Sequence, residues 1–118
     1  MIDLAIHVSD NKNEKWATIT LKGELDDHQS SKLTEALNEL IDKKRRYMII
    51  LDLSRVTFVD SVGLGAVAIA AKKLQEHAGR LNIVTKHDTV QKMVTMSGMI
   101  SATGNTMTLC SDLTNSRE

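Results

Sequence analysis

The stretch from Met48 to Leu74 limits the possible folds more than any other part of the chain. Met48 to Leu53 is an apolar run that predicts a buried strand, and Phe58 and Val59 follow as a second apolar pair. Asp60-Ser61-Val62-Gly63-Leu64-Gly65 comes next, and a helical pattern then continues to about Leu74. A buried strand leading straight into a helix is the repeating unit of an α/β fold. It also puts a serine at the N-terminal end of a helix, with two glycines in the first turn. Such a hydroxyl is exposed and lies among free backbone N–H donors, and the glycines allow close approach to the backbone.

The flanking segments fit the same frame. Leu4-Ala5-Ile6-His7-Val8 alternates like a half-buried strand, Asp10 to Asn13 is a turn, and Trp16 to Leu21 resumes the strand pattern, which predicts a hairpin. Gly23-Glu24-Leu25-Asp26 leaves that hairpin. Leu33, Ala36, Leu37, Leu40 and Ile41 then recur on one face of a helix, which Asp27, Ser30 or Ser31 can cap. A second helix is predicted from Val62 to about His77, with Leu64, Val67, Ala68, Ala71 and Leu74 inward and Gly79 at its C′ position. Leu81 to Val84 reads as a fourth strand. A third helix is capped by Asp88, buries Val90, Met93 and Val94, and ends at Gly98. Met107 to Cys110 reads as a last strand, and the polar tail from Ser111 to Glu118 as frayed. The prediction is a single α/β domain over residues 1–118. Its central sheet is mixed, mostly parallel and of about 4–5 strands, with helices packed against it.

Composition removes several function classes. With 118 residues and 42% hydrophobic content the chain can bury one core. Fifteen Lys and Arg balance fifteen Asp and Glu, so the basic excess of a direct nucleic-acid binder is missing. No apolar run approaches the roughly 18 residues of a membrane span, and the Met1-Ile2-Asp3-Leu4 start is not a secretory signal. Cys110 is the single cysteine, which leaves no internal disulfide and no cysteine-rich metal site. These features predict a cytoplasmic protein.

Chemistry alone leaves three readings of Ser61. It can cap the helix, a contact worth about 1 kcal/mol. It can be a nucleophile, although Val59-Asp60-Ser61-Val62-Gly63 lacks the first glycine of the Gly-x-Ser-x-Gly elbow, and only His28, beside Asp26 and Asp27, has carboxylate company. Alternatively, Gly63-Leu64-Gly65-Ala66-Val67-Ala68 formally matches a dinucleotide-binding turn, with Asp88 as a rough acidic partner. Gly63 and Gly65 each cost about 1 kcal/mol within a helix, which implies that side chains are being kept away from something.

Three elements carry a resemblance. Asp52-Leu53-Ser54-Arg55-Val56 with Phe58-Val59-Asp60-Ser61-Val62-Gly63-Leu64-Gly65 resembles the signature of STAS domains, and more narrowly of bacterial anti-sigma-factor antagonists. Gly23-Glu24-Leu25-Asp26 resembles that family's second motif, and Met96-Ser97-Gly98-Met99 the element closing its third helix. The likeness spans roughly residues 4 to 110. It implies phosphorylation at Ser61 and a partner surface formed by Asp26, Asp60, Ser61, Val62, Gly63, Leu64 and Gly65. It further implies a partner switch in transcription regulation. The unphosphorylated form binds an anti-sigma factor that is itself a serine kinase of the histidine-kinase-like ATPase type, and the sigma factor is released. Phosphorylation ends that binding, and a serine phosphatase resets it. Such a chain is a substrate and a binding module, not an enzyme, and takes no cofactor or metal. Val62 departs from the family's usual small residue, and the tail after Cys110 is shorter and more polar than in many members. Two alternatives of other kinds are a nucleotide-binding regulatory domain using Gly63-Leu64-Gly65 and a scaffold subunit of a signalling complex.

The remaining candidates have local readings. Asp26 can assist phosphotransfer, orient Ser61 or end a strand in an Asx-turn. Asp60 can line the kinase interface or begin the cap. Lys43-Lys44-Arg45-Arg46 reads as a solvated run complementing the dipole of the first helix.

Overall fold

The computed structural model describes residues 3–104 and 106–113; the last part of the tail expected to fray, residues 114–118, lies outside that range. The five-stranded sheet has the order β1-β2-β3-β4-β5. Strand β1 (Ala5–Ser9) runs antiparallel to β2 (Ala17–Leu25). Strands β2, β3 (Met48–Val59), β4 (Arg80–Val84) and β5 (Met107–Cys110) are mutually parallel. The expected mixed, mostly parallel sheet is therefore present. Ile49 to Leu53 in the first half of β3 are all buried, because a strand in mid-sheet is covered on both faces.

The helices share one side. Leu33 and Leu37 of α1 (Ser30–Asn38), Leu64, Val67, Ala71 and Leu74 of α2 (Ser61–Glu76) and Val90 and Val94 of α3 (Asp88–Met96) join one buried cluster with Ile19, Leu21, Leu51 and Leu81 of the sheet. Across the sheet, Trp16, Ile50 and Val84 form a smaller cluster with Met48 and Cys110 against it. Among the described residues, no helix is long and apolar enough to cross a membrane.

Several local expectations are corrected. The first helix does not run evenly to Ile41. After Asn38 the chain widens into a π-turn, Glu39–Lys43, which still buries Leu40 and Ile41. Lys73 of α2 pins this turn, its Nζ lying 2.9 Å from both Asn38 Oδ1 and Asp42 Oδ2. At the end of α2 the C′ residue is Ala78 (φ 53°), not Gly79. The amides of Ala78 and Gly79 donate to the carbonyls of Gln75 and Leu74, which closes the helix. Gly79 is required for space, since a Cβ there would lie 2.3 Å from the Tyr47 carbonyl oxygen. Asp88 does not cap α3 but is its first residue, where its charge favours the helix dipole. Gly98 ends α3 in the left-handed conformation, as expected, and also starts a single turn, α4 (Met99–Ala102), that periodicity did not announce.

Strand β3 is twice as long as the run that marks it. It continues through Ser54 and Thr57 to Val59, and absorbs one extra residue against β2 between Asp52 and Arg55 and another between Val56 and Phe58. Asp52, buried at the first bulge, accepts the Ser54 amide at 3.0 Å. The last pair between β3 and β4 is Asp52–Val84, so β2 and β3 continue together past the rest of the sheet. The Ser61 turn stands at the tip of this extension.

Candidate functional site

Two chain segments 33 residues apart form the site. Strand β2 ends at Leu25, and its carbonyl accepts the Asp60 amide at 3.1 Å, which ties the exit of β3 to the exit of β2. Gly63 makes that approach possible. A Cβ there would lie 2.6 Å from the Leu25 carbonyl oxygen and 2.8 Å from its Cγ. The first glycine is thus explained by helix-on-strand packing.

Asp60 is the N-cap of α2, its backbone still extended as the chain passes from strand to helix. Its Oδ1 accepts the Gly63 amide at 2.9 Å, and its Oδ2 accepts the Asp27 amide at 3.0 Å. One carboxylate therefore caps the helix and clasps the loop after β2. This displaces the reading of Ser61 as cap. Ser61 is the first residue inside the helix and is exposed. A one-residue offset decides the matter, since only the residue with a strand-like backbone can turn its side chain back onto the first-turn amides.

Asp26 works the same way one strand over. It is buried, and its Oδ1 accepts the amides of His28 at 3.1 Å and Gln29 at 3.0 Å. Its carbonyl accepts the Ser30 amide at 2.9 Å. This is the Asx-turn among the roles open to Asp26. It also replaces the expected caps Asp27, Ser30 and Ser31. The N-cap of α1 is Gln29, with no side-chain cap bond, while Ser30 Oγ donates to the Asp27 carbonyl at 3.4 Å. His28 lies 3.8 Å from Asp27, both side chains exposed.

The surface around Ser61 is divided. Gly63 and Leu64 are buried, Leu64 among the core, so neither offers a side chain to a partner. Val62 is 51% exposed, and a Cβ on Gly65 would meet nothing within 4 Å. The serine is therefore flanked by one apolar side chain and one bare stretch of helix. Phe58, read from the sequence only as an apolar pair with Val59, is 46% exposed, and Ile69, at 62%, escaped the sequence reading. The available signal was that α2 is apolar on its outer side too, at Val62, Ala66 and Ile69. The dinucleotide reading loses ground here. The Gly63 and Leu64 amides, two donors a phosphate would need, already serve the Asp60 side chain and carbonyl. Among the described residues no group of three or more His, Cys, Asp or Glu is placed to hold a metal ion.

The STAS domain family matches residues 7–109. The anti-sigma F factor antagonist of Paenibacillus polymyxa is 30% identical over 81 residues, which cover 69% of each chain. The Bacillus cell fate determinant SpoIIAA in its phosphorylated form is 26% identical, with a TM-score of 0.68 over 92% of this chain and 93% of that one. An anti-sigma factor antagonist from Mycobacterium paratuberculosis has the same fold, with a TM-score of 0.81 at 22% identity over 98% of this chain and 96% of that one.

Proposed function

The chain belongs to the STAS domain family, and on that premise we propose that it is an anti-sigma-factor antagonist switched by phosphorylation of Ser61. In its unphosphorylated form it binds an anti-sigma factor that is also a serine kinase of the histidine-kinase-like ATPase type, and the sigma factor is released. Transfer of a phosphoryl group to Ser61 Oγ ends the binding, and a serine phosphatase restores it. The chain is substrate and binding module rather than enzyme, and it works in the cytoplasm.

The observation that carries this reading is the exposed Ser61 hydroxyl on the first turn of α2, with Asp60 and Asp26 both committed to the backbone beneath it. A phosphoryl group there adds close to two negative charges. The N-terminus of α2 tolerates that charge within the domain. A partner surface fitted to a neutral hydroxyl does not, because it would bury an unpaired dianion. Binding is therefore lost without unfolding. Val62 and the open surface at Gly65 supply the contact area beside the serine.

The deciding experiment is a pull-down from lysate of the native host with wild type and Ser61→Asp as baits. Capture of a histidine-kinase-like ATPase by wild type alone supports the switch. Equal capture by both would overturn it and favour a scaffold subunit.

A further inference from the structure

The opposite end of β3 carries a second candidate site. Arg46 lies two residues before that strand, as Ser61 lies two residues after it. A cavity of about 390 Å³ opens there, lined by Asp10, Lys12, Lys43, Lys44 and Arg46. Asp10 and Lys12 come from the β1–β2 turn, the others from the π-turn and the link into β3. The run expected to be a solvated helix tail is instead divided. Arg46 is largely buried; its Nε lies 2.9 Å from Asp10 Oδ1, and its Nη2 donates to the Glu14 carbonyl at 2.7 Å. Lys43 and Lys44 stay exposed at the rim, Lys43 lying 3.3 Å from Glu39 and Lys44 3.7 Å from Asp10.

We propose that this cavity binds the di- or triphosphate group of a small soluble ligand. Four cationic side chains line it; Asp10 is shared by Arg46 and Lys44, and Glu39 lies beside Lys43, so the positive charges still outnumber the negative ones. Every lining residue is charged, so the cavity favours a charged ligand group. The volume falls within the range of small-molecule sites. The walls are preorganised. Arg46 staples the hairpin turn to the π-turn, and Asn11 closes the hairpin by accepting the amides of Asn13 and Glu14. Arg45 holds a left-handed backbone (φ 54°), a strained conformation for a residue with a side chain. A multiply charged phosphate suits ammonium groups acting as point charges beside a fixed guanidinium.

The test is an amide-resolved NMR titration of the full chain with inorganic pyrophosphate, using wild type and a Lys43→Gln/Lys44→Gln double variant. Both lysines are exposed, so the double variant keeps its fold, which the remainder of its spectrum would verify. Saturable shifts confined to the Asp10–Glu14 and Lys43–Arg46 amides are expected, with affinity reduced on the order of tenfold or more in the double variant. Sodium chloride at matched ionic strength would leave those amides in place. Shifts that never saturate, or an unchanged affinity in the double variant, would overturn the proposal. Binding to phosphatidylglycerol vesicles but not to pyrophosphate would overturn the soluble ligand and assign the cavity to a lipid headgroup. The outcome is independent of Ser61.

Discussion

The two ends of β3 handle charge in opposite ways. At the Ser61 end, Asp26 and Asp60 spend their carboxylates on backbone amides of their own loops. At the other end, Arg46 takes up one carboxylate and one carbonyl, and Lys12, Lys43 and Lys44 remain at the rim of a cavity. The first arrangement makes a stiff platform that displays a single neutral hydroxyl. The second leaves a positive surplus whose effect spreads through solvent. Adding a charge at the first end changes one contact. Removing a charge at the second changes a screened field.

Four substitutions test that contrast. The largest effect is expected from Ser61→Asp, on binding alone. Affinity for the proposed kinase partner should fall more than a hundredfold, about 3 kcal/mol, while stability stays within about 0.5 kcal/mol of wild type. Calorimetric titration beside a urea melt separates the two, and a destabilised variant would show that Ser61 is part of the platform rather than mounted on it. Gly63→Ala comes next. Overpacking against the Leu25 carbonyl costs about 1–3 kcal/mol and outweighs the helix-propensity gain of up to about 1 kcal/mol. A lowered urea midpoint with unchanged slope is the expected result, and a stabilised variant would show that the two strand exits can part freely.

Asp60→Ala removes the cap and the clasp together and should cost about 1–2 kcal/mol. Hydrogen exchange should speed up at Asp27 and Gly63 and stay unchanged at Lys44. Lys43→Ala is the mildest, within about 0.5 kcal/mol, and any change should shrink as salt is raised. A loss as large as that of Asp60→Ala would erase the distinction between the two ends.

Much of this architecture was readable from residue order. The run Met48–Leu53, the helical spacing that follows Ser61 and the four-residue strand Met107–Cys110 specify elements through local periodicity, and their alternation specifies an α/β sheet. The turn at Asp26 and the cap at Asp60 were among the roles read for those residues, and the family resemblance is matched over residues 7–109. Caps and strand ends were harder. Asp27, Ser30, Ser31, Asp88 and Ser61 all have the composition of an N-cap, and none of them caps with its side chain.

The sequence by itself determined the five strands and the three longer helices, their order, and that a serine stands where a strand hands over to a helix. These follow from side-chain periodicity and backbone preference, which act over a few residues. Only the tertiary structure decided that β3 runs on to Val59, that the Asp60 carboxylate joins two loops 33 residues apart, that Gly63 and Gly79 yield to carbonyls of distant segments, and that Lys12 meets Lys43 and Lys44 around one cavity. Each of those depends on a partner far away in the chain. Strand pairing, close packing and the satisfaction of buried amides choose that partner, and no local pattern encodes it.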